Sequence, residues 1–281
     1  KKIPSKGENN MKIGLIVPHS GSIENELSKV QSFGFDCCQI QCWQMPLLTD
    51  ENADLIRSLL TEKGITCSTF WCGWSGPRVW NFYEGPVTLG LIPEEYRAQR
   101  VEDLKRGAEF AARMGASQMA THAGFLPEDP NDPRYAPVVE ALREVAVHAQ
   151  KLGVKFLFET GQETPTTLKR VIDEIGTDNL GINYDPANLL LYGKANPTDA
   201  LSILGPYICD MHAKDGLYPT DGRSLGHETR MGDGLVDFAA IIGYLKNRGY
   251  DGAITIEREI SGEKQIEDIR HARELLSALI G

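Results

Sequence analysis

No apolar run in the chain approaches the roughly 18–20 residues of a membrane span. The longest candidates are short segments such as Ile13-Gly14-Leu15-Ile16-Val17, which predicts a soluble protein. There is also no surplus of positive charge. Lys and Arg number 29 against 39 Asp and Glu, a net charge of −10, so the chain lacks the basic surface that a phosphate backbone or an anionic membrane face requires. Cysteine is sparse: six residues, three of them at Cys37, Cys38 and Cys42, show neither zinc-ribbon spacing nor the density of a secreted disulfide scaffold. Reduced, buried thiols in a cytoplasmic protein are expected. No apolar core of a signal peptide occurs in the polar residues 1–10, which are expected to form a flexible tail before a single domain over 11–281. No Gly-x-Gly-x-x-Gly follows the first apolar run, which removes the main support for a dinucleotide-binding sheet.

What remains is a regular alternation. Apolar, strand-like runs occupy residues 12–17, 36–42, 65 onward, 116–122, 154–159, 180–185, 207–212 and 253–257. Between them lie segments of helical periodicity, several closing on a glycine where a C-cap belongs (Gly34, Gly64, Gly115, Gly153, Gly176, Gly249). Eight strands alternating with eight helices and no linker predict one closed (β/α)8 barrel of the α/β class, and 281 residues suit a barrel of about 250. The one long connection, residues 72–91, is Gly- and Pro-punctuated and aromatic, and is expected to cover the mouth of the barrel.

Side chains alternate along a strand, and in a barrel the reactive ones gather at strand C-terminal ends. The fifth run ends in Glu159. The sixth places Asn183 and Asp185 on one face, the seventh Asp210, His212 and Lys214, and the eighth Thr255 and Glu257. Singly, such residues are most often helix caps or satisfied core groups. Together, Glu159, Asp185, His212 and Glu257 form a hard, mostly oxygen donor set whose charges would repel without a cation, so one divalent metal ion is expected, Mn²⁺ or Mg²⁺ in preference to Zn²⁺ or Co²⁺.

The segments Thr121-His122-Ala123-Gly124, Glu159-Thr160-Gly161-Gln162-Glu163-Thr164, Asn183-Tyr184-Asp185-Pro186-Ala187-Asn188, His212-Ala213-Lys214-Asp215 and Gly232-Asp233-Gly234-Leu235-Val236-Asp237-Phe238 resemble the sugar phosphate isomerase/epimerase superfamily of xylose isomerase-like barrels. The resemblance implies metal ligation by Glu159, Asp185, His212 and Glu257, with Glu159 and Glu257 also acting across the substrate as a catalytic proton-transfer pair. Elementary chemistry agrees, because a proton α to a carbonyl is weakly acidic and its removal needs a base and a stabilised enediolate. The implied substrate is a small sugar or sugar phosphate, with no nucleic-acid or membrane partner. The oligomeric state is open, a homo-oligomer included.

Around these residues the sequence offers further substrate-binding candidates, each with a structural alternative. His122 stands near the substrate or is a core histidine. Glu163 binds a hydroxyl or caps the next helix. Lys214 binds a ligand oxygen or pairs with a carboxylate. Arg230, beside Gly232-Asp233-Gly234, holds sugar oxygens or is a solvated loop residue. Asn188 occupies the place where ketose 3-epimerases carry a substrate-contacting histidine, and Arg230 stands nearer the glycines than their arginine, so the specific 3-epimerase assignment does not transfer. The four tryptophans lie between Trp43 and Trp80, where their rings either cover a sugar's C–H face or pack beneath the loops. A repair nuclease would need more strand-end histidines than His122, His212 and the distant His19. Two other readings stand beside the isomerase: a lyase or dehydratase acting on an inosose or keto-sugar at the same metal, and a non-catalytic sugar-binding barrel.

Overall fold

The computed structural model describes residues 11–281, and the tail expected over residues 1–10 lies outside them. Eight strands form the centre: β1 (Lys12–Pro18), β2 (Cys37–Cys42), β3 (Thr66–Cys72), β4 (Gln118–Thr121), β5 (Lys155–Glu159), β6 (Leu180–Tyr184), β7 (Ile208–Ala213) and β8 (Ala253–Ile256). All pair in parallel and the sheet closes on itself, with Leu15 of β1 opposite both Cys38 of β2 and Ile256 of β8. Helices Ile23–Ser32, Asp50–Lys63, Glu94–Met114, Tyr135–Lys151, Pro165–Ile175, Pro197–Leu204, Phe238–Asn247 and Glu263–Ile280 follow the strands in turn. The expected (β/α)8 barrel is therefore the observed fold.

The two-residue period of the strands separates two environments. Ile182 and Tyr184 of β6, Cys38 and Ile40 of β2, and Ile254 and Ile256 of β8 turn outward into the apolar layer beneath the helices. Between them Asn183 and Gln39 turn inward, and Gln39 Nε2 donates to Asn183 Oδ1 across the barrel at 3.2 Å. Thr69 Oγ1 likewise donates to Asp210 Oδ2 at 2.6 Å, joining β3 to β7. The barrel axis is thus polar and the apolar core is the surrounding sleeve. Local signals set the element ends: the Thr49 hydroxyl accepts from Asn52 N at 3.2 Å, and Gly64, Gly115 and Gly176 close their helices in the left-handed conformation.

Three features lie beyond the regular alternation. A short helix, Pro186–Leu191, directly follows β6, a helical turn, Gly85–Thr88, sits within the long connection, and an antiparallel ribbon pairs Asp215–Gly216 with Glu228–Thr229 after β7. The β6–β7 register shifts between Ile182 and Asn183, a bulge just before the residues that reach the barrel mouth. Among the described residues no helix is long and apolar enough to cross a membrane, and all six cysteines are free, five of them buried.

Candidate metal centre and its pocket

Asp185 shows how the chain builds the site. It is the N-cap of helix Pro186–Leu191, and its Oδ1 accepts from Asn188 N at 2.9 Å. This fixes the carboxylate so that Oδ2 points toward the axis, where it is buried without a hydrogen-bond partner. His212 Nδ1 and Glu257 Oε2 are likewise buried without a hydrogen bond. Glu159, Asp185, His212 and Glu257 each offer one ligand atom, all within 4.8 Å of one another. His212 Nδ1 stands 3.1 Å from Glu257 Oε2, 3.6 Å from Glu159 Oε1 and 3.8 Å from Asp185 Oδ2. Its other ring nitrogen donates to Gln39 Oε1 at 2.9 Å, so Nδ1 is the nitrogen left facing the carboxylates. A divalent cation fits this set: three hard oxygens and one imidazole nitrogen converge, and the orphaned atoms are those a cation would satisfy.

Charges around the cluster hold one another in place. Burial works against ionisation of Glu257, but Lys214 and His212 outweigh it and keep the carboxyl well below its usual range. Burial also opposes Glu159, which His122 and His212 hold low. Asp185, the most enclosed, is pushed by burial up to about 6 against the pull of Lys214 and His212. Lys214 is buried, yet Glu257, Glu259 and Asp185 keep it charged, with Nζ at 3.3, 3.1 and 3.8 Å from their oxygens. Glu159 is further fixed by Asn188 Nδ2 (3.0 Å), by Asn183 Nδ2 (3.3 Å) and by a short hydrogen bond from the Trp71 indole N–H.

Above the cluster opens a cavity of about 350 Å³. Glu159, Glu257, Lys214, Asn188 and His122 form its floor, and Trp43, Trp71 and Trp80 one wall. Trp43 is the hub of this wall, with ring centroids 4.9 Å from Trp71, 5.1 Å from Trp74 and 6.0 Å from Trp80. It fits only because residue 73 is glycine, since a Cβ there would lie 2.2 Å from the indole. Residues 73–91 carry Arg78 and Trp80 to the cavity. The fully buried Arg100 clamps this loop, donating to the carbonyls of Ser75 (3.0 Å), Pro77 (2.8 Å), Thr88 (2.8 Å) and Gly90 (2.6 Å). Phe82 N donates to Arg223 O at 3.0 Å, so the loop also meets the segment following β7 over the mouth.

The sequence-derived candidates divide accordingly. His122, with Nε2 3.5 Å from Glu159 Oε1, Lys214 and Asn188 join the four cluster residues. Arg230 does not: it is half exposed, paired with Asp233 (3.0 Å), and off the cavity wall. The neighbouring glycines have a structural cause, because Asp215 accepts from the backbone N–H groups of Gly216, Gly232, Gly234 and Val236 and so folds the loop around itself. Glu163 also misses the cavity. It is buried behind the β5 loop, its carboxyl is pushed by burial up to about 8, and Thr164 rather than Glu163 caps the next helix. Gln39, Trp71, Arg78, Tyr192 and Glu259 were not singled out individually. The alternation Cys-Cys-Gln-Ile-Gln-Cys in β2 is the signal that could have found Gln39, since a polar residue inside a doubly covered strand needs a partner at the axis.

The family described as "Xylose isomerase-like TIM barrel" matches residues 27–279. A xylose isomerase domain protein from Planctomyces limnophilus, of known crystal structure, is 33% identical and superposes with a TM-score of 0.90, over 96% of this chain and 97% of that one. A D-tagatose 3-epimerase-like protein shares the fold at 22% identity and a TM-score of 0.74, over 96% and 97% of the two chains. An inosose dehydratase of Lacticaseibacillus casei is 25% identical over 147 residues, 46% of this chain and 48% of that protein.

Proposed function

The chain belongs to the xylose isomerase-like TIM barrel family, and from that premise we propose that it is a metal-dependent sugar isomerase or epimerase working by proton transfer. One observation carries the reading: of the four cluster residues, Glu159 and Glu257 line the cavity, whereas Asp185 and His212 do not. Asp185 is tied to a helix N-terminus and His212 to Gln39, so both are suited to holding an ion. The two glutamates also reach the space where a substrate carbon would lie. A divalent cation held by the four residues would polarise the substrate carbonyl and stabilise the enediolate. One glutamate removes the proton from the carbon beside the carbonyl and the other returns it. Lys214 lies against Glu257 and keeps it ionised, while Asn188 and the Trp71 indole aim the Glu159 carboxylate. The tryptophan wall presents flat apolar faces to sugar C–H groups and excludes water from the reacting carbon.

Turnover in D₂O tests the proposal. Deuterium should enter the product at the carbon beside the carbonyl, and Glu159→Gln and Glu257→Gln should each slow exchange by about 10²–10⁴-fold. Full retention of the original hydrogen, with both variants at full rate, would overturn it. A dehydratase reading is favoured by the likeness to inosose dehydratase. It begins with the same proton removal and differs in a product lighter by one water, which mass spectrometry of the same reaction reads directly.

A further inference from the structure

Two cations face the cavity, and they are in opposite conditions. Lys214 is already shared among carboxylates, with Nζ 3.3 Å from Glu257, 3.1 Å from Glu259 and 3.8 Å from Asp185. Among the described residues the Arg78 side chain makes no hydrogen bond and no ion pair; its guanidinium lies over the Trp43 ring, 4.6 Å from the centroid. Among the described residues Arg106, Arg113, Arg134, Arg143, Arg223, Arg230 and Arg258 hold acidic partners, and Arg78 does not. The side chain is exposed, but the loop that carries it is held. The carbonyl of the preceding Pro77 is gripped by the buried Arg100, and the amide of the following Val79 donates to Thr88 Oγ1 at 3.1 Å. The backbone on both sides of Arg78 is therefore fixed, and stacking on Trp43 orients a guanidinium whose donors are all unused.

The placement of Arg78 also matters. It lines the metal pocket and, with Gln41, Trp43, Glu257 and Glu259, a second cavity of about 610 Å³ that adjoins it. A ligand bound at Glu159 and Glu257 and extending along the tryptophan wall passes this guanidinium on its way out. We infer that the substrate carries an anionic group, a carboxylate or a phosphate, on the end remote from the metal cluster, and that Arg78 receives it. The inference rests on the isomerase reading above and adds the substrate's charge class to it. A planar fork of free donors suits both anions, because each presents paired oxygens to it.

The full chain loaded with Mn²⁺ is the material for the test. The probes are D-fructose, D-fructuronate and D-fructose 6-phosphate, with the parallel series of D-glucose, D-glucuronate and D-glucose 6-phosphate, read by calorimetric binding and by kcat/KM. In at least one series a charged member should bind about 10- to 100-fold more tightly than its neutral parent. Which charged member wins distinguishes carboxylate from phosphate. Arg78→Ala should erase that preference with Mn²⁺ affinity unchanged, and Arg78→Lys should restore part of it. Equal binding of neutral and charged sugars, or a preference that survives Arg78→Ala, overturns this inference and leaves the isomerase reading standing. A chain that binds Mn²⁺ but none of the six sugars overturns both.

Discussion

Strands β5 to β8 and the residues just after them bring Glu159, Asp185, His212, Lys214 and Glu257 to the cluster, whereas β2 to β4 and the loops after them send Trp43, Trp71, Trp80 and His122 to the cavity above it. The same strand-and-helix unit builds both halves, and the residues at and just past the strand ends set them apart. Each half does what the other cannot. Carboxylates crowded at the axis can gather a cation but offer no surface to a C–H face, while indole rings offer that surface and carry no charge. At the site itself the halves meet through named contacts. Trp71 donates to Glu159, His122 stands beside it, and Gln39 reaches across the axis to His212.

The comparison can be broken most severely in the charged half. His212→Ala removes the one nitrogen of the proposed ligand set, and the variant should retain no ion after dialysis, as elemental analysis would show, while circular dichroism reports an intact barrel. Gln39→Leu tests whether the halves are independent. It leaves the cluster residues in place but removes the oxygen that accepts from the His212 ring, and Mn²⁺ affinity measured by titration should fall by about 10- to 100-fold. An unchanged affinity would make Gln39 a mere filler of the axis. In the aromatic half, Trp80→Ala should raise KM by about 10-fold with Mn²⁺ affinity unaltered, the opposite signature. The smallest effect is sought at Glu163, a buried acid of the charged half that lies outside the cluster. Burial raises its carboxyl to about 8, so the folded chain keeps a proton that the unfolded chain gives up in the ordinary carboxylate range. The sign follows from linkage: the folded state binds more protons between those two values, so the stability this group contributes declines as pH rises through the interval and levels off above about 8. Glu163→Gln should flatten that part of the Tm-against-pH curve.

Much of this was legible from the residues alone, and the reason is the two-residue period. Glu159, Asp185, His212 and Glu257 fall at the ends of successive strands in matching phase, and a barrel brings strand ends together whatever its loops do. Neutral groups carry no such signal. Trp71 and Gln39 act through single hydrogen bonds to charged residues on distant strands, and nothing local to β2 or β3 reveals which way those bonds run. Arg230 shows the reverse failure. Its nearness to Gly232-Asp233-Gly234 suggested ligand binding, but the glycines serve the Asp215 carboxylate, and whether a loop arginine turns inward depends on partners, here Asp233, that spacing does not record.

The grip of Arg100 on residues 75–90 has a consequence for how such a pocket can diversify. Its four bonds end on main-chain carbonyls, which every amino acid possesses. Substitution of the side chains at positions 78 and 80 therefore leaves the anchor intact, and the loop can exchange Arg78 or Trp80 for other groups without being unseated. Selection on what the cavity accepts is in this way uncoupled from selection on whether the loop folds. A library randomised at positions 78 and 80 should keep a nearly constant melting temperature while its sugar preferences spread.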